Sequence, residues 1–248
     1  MEPVQVREEI EAKLRKYAEL LAQANRRVRV VGPSDAGTLY DEHIRDALAA
    51  LPLLDFLAAG GRLIDVGTGG GLPGLVWAVC RPDLRVVLLD SVGKKLLVAR
   101  EIANALGCEN VVVAHARSED YAATAHRETF DLAAARAVAH TCVLAEYLSP
   151  LVRPGGKLLA CKGPQAAAEA AIPPQRWKTL GLSVPELHRY TCAGKEGMLV
   201  LWEKNAPCPA RYPRKAGMAE KQPWCSLPRL TSSGTPAGGK KKPDPDPV

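Results

Sequence analysis

"GRLIDVGTGGGLPGLVWAV", residues 61–79, decides the fold. "RLIDV" is an apolar run around a single acid, five glycines fall within residues 67–74, and apolar residues resume at Leu75. A strand that ends in a glycine-rich turn and passes into a helix is the first βα unit of a nucleoside-binding sheet. Residues without a Cβ let a ligand approach the backbone amides.

Outward from this stretch the pattern repeats. "RVVLLD", "GKKLLVAREIANAL" and "NVVVAH" alternate strand, helix and strand; "FDLAAARAV", a helix ending near Leu151, a Pro-Gly-Gly turn at 154–156 and strand "KLLAC" follow. Continuous apolar strands separated by helices imply a parallel sheet covered on both faces, a doubly wound α/β domain. After Pro173-Pro174, "LSVPELHRYT" and "GMLVLWEK" have no helix between them, which predicts an antiparallel hairpin at the sheet edge. Upstream, Ile10, Leu14, Tyr17, Ala18 and Leu21 recur at helical spacing, and a break at Gly32 to Ser34 precedes a short helix carrying His43, Ile44 and Leu48. The expected organisation is a helical extension over 1–60, a core over 61–205, a basic segment over 206–226 and a disordered tail over 227–248.

With 248 residues, 47% of them hydrophobic, the chain can bury one sizeable core. Its apolar runs are shorter than the roughly 20 residues a bilayer span needs, and "MEPVQVREEI" lacks the apolar centre of a signal peptide, so a cytoplasmic monomer with no membrane partner is expected. Seven cysteines lie singly and suggest neither a zinc site nor a disulfide framework. The net charge is +6, and residues 203–248 alone hold nine Lys/Arg against four Asp/Glu, a basic end compatible with a polyanionic partner.

The glycine loop is shared by two classes of cofactor site. Gly69, Gly71 and Gly74 satisfy GxGxxG, which by itself fits a nicotinamide dinucleotide. Asp65, inside the strand, can instead hold the loop amides or attract a ligand ammonium, which S-adenosylmethionine carries. Asp90 ends the second strand 19 residues after Gly71, where a carboxylate can accept ribose hydroxyls of either cofactor, with Ser91 beside it. "HARSEDY" after the third strand puts Ser118 and Glu119 where the adenine of S-adenosylmethionine is usually held in methyltransferases of this architecture.

"LIDVGTGGGLPGL", "LLDSVGKK", "AARAVA", "LLACKGP", "GMLVLWEK" and "YPRKAG", in this order and from about Asn25 to Pro223, resemble the bacterial small-subunit ribosomal RNA guanine-N7 methyltransferases, the glucose-inhibited division protein B family. The resemblance implies a class I S-adenosylmethionine-dependent methyltransferase fold: a Rossmann-like doubly wound sheet, mostly parallel with an antiparallel edge hairpin, plus an N-terminal helical extension. It implies S-adenosylmethionine as methyl donor and one guanine of 16S ribosomal RNA in the small ribosomal subunit as target. By position it assigns donor contacts to Gly67 and Leu72 in the loop that also holds Thr68, to Ser118 and Glu119, and to Arg136. His43, Asp46, Lys94, Arg100 and Lys162 match family positions around the cleft, with Arg136, Lys162 and His43 as the positioning set on the RNA side. An Asn-Leu-Thr segment usual in the family reads "RVRVV" here, with Asn25 retained and Arg29 where a second Asn would stand.

Guanine N7 carries a free lone pair at neutral pH, so methylation there needs alignment and desolvation but no general base. In agreement, no Asn/Asp-Pro-Pro-aromatic motif follows "FDLAAARA", and no Pro-Cys nucleophile follows the fourth strand. Three readings stay open: an RNA methyltransferase, a nicotinamide oxidoreductase using the same loop, and a non-catalytic ribosome-binding protein. For "ARYPRKAGMAEKQPW", residues 210–224, the expectation is phosphate neutralisation by four Lys/Arg and base stacking on Tyr212 and Trp224. Truncation after Asn205 would then weaken RNA binding and leave donor binding unchanged; the competing reading has both aromatics pin the segment to the core.

Overall fold

A computed structural model describes residues 4–32, 35–136 and 139–225. The expected break at Gly32 to Ser34 lies partly outside them, and the tail 227–248 lies wholly outside them.

The chain forms one seven-stranded sheet from β1 (Arg62–Val66), β2 (Arg85–Asp90), β3 (Val111–His115), β4 (Phe130–Arg136), β5 (Val152–Lys162), β6 (Glu186–Cys192) and β7 (Lys195–Glu203), in the order β3-β2-β1-β4-β5-β7-β6. β1 to β5 pair in parallel, and β7 enters antiparallel between β5 and β6. The doubly wound core and the edge hairpin are therefore as expected. Chain order jumps outward from β1 in both directions, so the switch between β1 and β4 opens a crevice at the strand carboxyl ends.

Side chains alternate between two apolar layers, with one break in β4 between Phe130 and Leu132. Leu199 and Leu201 of β7 join Leu63, Leu132, Leu159 and the helices Glu8–Asn25, Gly74–Cys80 and Gly93–Ala105 on one face. Met198, Val200 and Trp202 join Ile64, Phe130, Leu158 and helix Thr141–Leu148 on the other. Both faces need apolar side chains, which is why these strands read as unbroken hydrophobic runs. The alanines of β4, Ala133 to Ala135, have weak strand propensity, yet all three are fully buried between β1 and β5.

Helix Glu8–Asn25 lies in the same apolar layer as the sheet, and the Tyr17 hydroxyl donates to the Gly70 carbonyl at 2.9 Å. The loop after this helix closes on Asn25, whose Oδ1 accepts from Val30 and Val31 at 2.9 and 3.2 Å and whose Nδ2 donates to the Gly32 carbonyl at 3.0 Å. Arg29 is exposed, so the loop is held without a second Asn.

One local expectation fails. Residues 154–156 are not a turn before a strand, because β5 already starts at Val152 and runs through them, with its register against β4 breaking between Phe130 and Leu132. Gly155 has φ 86°, and a Cβ on Gly156 would come within 2.6 Å of the Asp131 carbonyl. Pro-Gly-Gly here makes a bulge, which turn chemistry alone cannot distinguish from a reversal.

Candidate active site

Register sets the order of groups along the carboxyl edge of the sheet. Asp90 pairs with His115, Leu89 with Val66, Val66 with Ala135 and Arg136 with Cys161. Asp90, Gly67, Arg136 and Lys162 therefore stand side by side, each at or just past the end of its own strand.

On the β2 side lies a cleft of about 210 Å³ lined by Gly67, Asp90, Ser91, Ser118, Glu119, Tyr147 and Glu220, among others. Five of the sequence-predicted donor residues meet there. Asp65, Thr68, Gly69, Gly71 and Leu72 do not line it; they build the loop beneath. The Asp65 Oδ2 accepts the Thr68 hydroxyl at 2.6 Å and the Gly74 amide at 2.9 Å. The Gly69 amide donates to Asp90 Oδ2 at 2.9 Å, and those of Gly67 and Thr68 donate to the Leu89 carbonyl at 2.8 and 3.1 Å. Gly71 and Leu72 return to the Thr68 carbonyl, and Leu72 is core.

These bonds correct the first account of the glycines. The amides of Gly67, Thr68, Gly69, Gly71, Leu72 and Gly74 already have partners inside the protein, and three of the five glycines answer to packing. A Cβ on Gly70 would meet Leu21 at 2.7 Å, one on Gly71 the Tyr17 hydroxyl at 3.0 Å, and one on Gly74 Leu88 at 2.6 Å and Asp65 at 2.7 Å. Gly67 alone joins a left-handed φ of 73° with a place in the cleft wall.

The Asp65 carboxylate is fully buried, and its Oδ1 has no partner. Burial pushes its pKa up to about 6, against the lowering effect of the Thr68 and Gly74 hydrogen bonds and of Arg136. A buried carboxylate oxygen without a protein partner behind a glycine turn favours a cationic ligand in the cleft above it over an anionic one. A pyrophosphate fits poorly, because the Gly74 amide it would use at the start of the helix already holds Asp65.

The β4 side opens into a larger cavity of about 680 Å³, lined by His43, Asp46, Arg136, Lys162 and Tyr190, among others. Arg136, Lys162 and His43, the positioning set expected from the sequence, thus meet in one place, beside the smaller cleft. The Arg136 guanidinium pairs with Asp46 Oδ2 at 3.4 Å, and the Tyr190 hydroxyl donates to Asp46 Oδ1. Lys162 Nζ donates to the Ala139 carbonyl at 2.6 Å and pairs with Glu169 at 3.0 Å; Glu169 also accepts from the Thr141 amide and hydroxyl, both at 2.7 Å. Burial would raise the Glu169 pKa, but the bonds from Thr141 and Lys162 outweigh it and hold the group below its ordinary value. Burial first, and Arg136 next, push the His43 pKa down, so this imidazole is neutral at neutral pH. Lys94 and Arg100 line neither cavity and lie exposed on helix Gly93–Ala105.

Tyr190, Glu169, Tyr147 and Glu220 were missed in the sequence. Each reaches the site through a contact distant along the chain, such as the 144 residues between Tyr190 and Asp46, and no motif marks such pairs.

The basic segment is placed differently from the expectation. Tyr212 is buried, Trp224 Nε1 donates to the Cys142 carbonyl at 2.7 Å, and the Trp224 ring lies 5.6 Å edge-on from Trp177. Arg214 grips the buried Glu146 through two nitrogens at 2.8 and 2.5 Å. The Gly217 amide donates to Glu119 Oε1 at 3.0 Å, and Tyr147 donates to Glu220 at 3.2 Å. Both aromatics face inward, and the segment walls the cleft of about 210 Å³ through Glu220. Tyr212 is buried away from any base, and the half-buried Trp224 is pinned to the core.

The model of the family described as "GidB: rRNA small subunit methyltransferase G" matches residues 10–196. A "Ribosomal RNA small subunit methyltransferase G" of Rubrobacter xylanophilus is 43% identical over 85% of this chain and 82% of its own length. One from Lactobacillus delbrueckii subsp. bulgaricus is 37% identical over 86% of this chain and 91% of its own. Among solved structures, TrmN from Thermus thermophilus superposes with a TM-score of 0.52 at 24% identity, over 65% of this chain and 48% of that protein. A putative O-methyltransferase from Klebsiella pneumoniae gives 0.53 at 16% identity over 82% and 92%. The fold is that of the class I methyltransferases. No helix among the described residues is long and apolar enough to cross a membrane.

Proposed function

The chain belongs to the rRNA small subunit methyltransferase G family, and on that premise we propose that it methylates N7 of one guanine in the ribosomal RNA of the small subunit. It is an S-adenosylmethionine-dependent methyltransferase. Within this reading, residues 1–60 are a helical extension, 61–205 the core and 206–226 a basic segment, of which residues 206–225 close the outer side of the donor cleft.

The observation that carries the choice of cofactor is Asp65: its carboxylate takes the helix-start amide that a dinucleotide pyrophosphate would need, and leaves one buried oxygen open. Gly67, Asp90, Ser91, Ser118 and Glu119 would hold the donor, with Asp65 behind them. When bound, S-adenosylmethionine supplies a methyl group made electrophilic by its sulfonium.

The rest of the chemistry belongs to the neighbouring cavity. The Arg136 guanidinium offers planar donors suited to the guanine O6 and N7 edge. Since N7 must stay free to react, its fitting partner is O6. Asp46 holds that guanidinium and offsets its charge, which matters because the purine turns cationic as N7 is alkylated. No side chain has to take a proton, and the neutral His43 acts by contact. Calorimetry with S-adenosylmethionine and with NAD tests the first part, and mass spectrometry of ribosomal RNA from cells with and without the protein tests the second. Binding of NAD alone, or an unchanged guanine, would overturn the reading.

Two pH dependences follow. The Asp65 pKa of about 6 is raised above the ordinary carboxylate value, so protons bind there as pH falls below about 6. A cationic ligand group favours the ionised form, so donor affinity should be constant above that pH and fall by up to about tenfold per unit below it. Asp65→Asn should flatten this profile in calorimetric titrations. The transfer step, measured in single turnover with saturating donor, should be level from about pH 6.5 to 8.5. Burial pushes His43 down and Cys161 and Cys192 up, out of that window. A bell-shaped profile of the chemical step would instead demand a general base.

A further inference from the structure

We propose that Tyr190 is a positioning residue for methyl transfer, which acts by fixing Asp46 and, through it, the direction of the Arg136 guanidinium. This rests on the reading of Arg136 given above.

Tyr190 stands on β6, the edge strand of the sheet, three strands away from β4. Its ring nevertheless reaches the main site, and the means is visible in the β6–β7 ladder. Tyr190 pairs with Gly197, and a Cβ at 197 would come within 2.2 Å of the ring. The ring therefore lies over bare backbone and is only 5% exposed. Any side chain at 197 would push it off this path. The glycine of "EGMLVLWE" permits the crossing, and the hydroxyl arrives at Asp46 Oδ1.

Asp46 then has one partner on each oxygen: Tyr190 on Oδ1 and Arg136 on Oδ2. Among the described residues the carboxylate has no other side-chain partner, and the guanidinium has no other ion pair. The Arg136 contact, at 3.4 Å through one nitrogen, is too loose to orient a carboxylate by itself. Orientation of Asp46 thus falls to the phenol. Burial, and then the Asp46 carboxylate, push the Tyr190 pKa upward, so the group remains a donor across the working range. Asp46 sits on the short helix Arg45–Leu48 of the N-terminal extension, and Arg136 ends β4, so the phenol ties three separate segments into one cavity wall.

Tyr190→Phe keeps the ring and its packing and removes only the O–H. In the full-length enzyme, with S-adenosylmethionine and small subunits from cells lacking this protein, the single-turnover rate should fall about 10- to 100-fold, the scale of a small misplacement of a reacting group. Donor affinity and half-saturating subunit concentration should stay unchanged and the melting temperature should fall by only a few degrees, since a merely structural tyrosine would move the last of these and not the transfer step. Arg136→Lys should also be slow, and the double variant should be no slower than Arg136→Lys alone. A full rate in Tyr190→Phe would overturn the proposal while leaving the proposed function standing, as would losses that simply multiply in the double variant. A full rate in Arg136→Lys would instead remove the premise that Arg136 serves transfer.

Discussion

Truncation after Asn205 is expected to abolish donor binding and to lower stability by several kcal/mol. Residues 206–225 end in packed aromatic and polar contacts that the core cannot replace. Without Arg214, the Glu146 carboxylate, 1% exposed, is a buried charge with no cation, and breaking such a pair costs about 3–5 kcal/mol. Arg127, which donates to the Tyr212 and Cys208 carbonyls at 2.7 Å each, loses both acceptors. The donor cleft loses Glu220 from its wall, and Glu119 loses the Gly217 amide that fixes its Oε1. Calorimetry with S-adenosylmethionine and thermal melting read both effects, with truncation after Ser226 as the control that should retain activity. A folded protein truncated at Asn205 that binds donor with unchanged affinity would show that the segment is no wall, and would restore the RNA-stacking role first expected of it.

That reversal marks where sequence reasoning runs out. Composition identified a basic segment with two aromatics, and composition cannot say which way a ring points. Tyr212 and Trp224 turn inward because Trp177 and the Cys142 carbonyl wait for Trp224, 47 and 82 residues away along the chain. By contrast, β1, β2, β4 and β5 were legible because a strand covered on both faces has to be apolar along its buried length, while the edge strand β3 stood out by its run of valines although Val112 is exposed. The site was legible to the same depth. Gly67, Asp90, Arg136 and Lys162 sit at strand ends, and a doubly wound sheet gathers strand ends at one edge. The residues that complete the two cavities, Asp46, Glu169, Tyr190 and Glu220, lie on helices and on an edge hairpin, where the sheet topology imposes no common destination. The Asp46 partnership shows the difference: the residue was matched by position, while its hydrogen bond to Tyr190 needed the fold.

The glycine loop supplies the other large effect, through a contrast between two glycines seven positions apart. Gly67→Val should leave a folded protein whose donor affinity falls at least about 100-fold. At φ 73° a residue with a Cβ costs about 1–2 kcal/mol, tolerable for a domain of this size, but a branched side chain there enters the cleft that Gly67 lines. Gly74→Val should fail in the opposite order. Its Cβ would lie 2.6 Å from Leu88 and 2.7 Å from Asp65, both fully buried, in a place with no room to yield. Relief requires the helix to move off the sheet, which breaks the 2.9 Å bond from the Gly74 amide to Asp65 and leaves a buried carboxylate short of a partner. Gly74→Val is therefore expected to lose solubility or cooperative melting before donor binding can be measured. Circular dichroism and melting curves, followed by calorimetry on whatever remains folded, separate the two. If Gly67→Val melts as badly as Gly74→Val, Gly67 serves the fold and not the ligand. Should Gly67→Val instead stay folded and bind donor normally, the cleft between β1 and β2 is not the donor site.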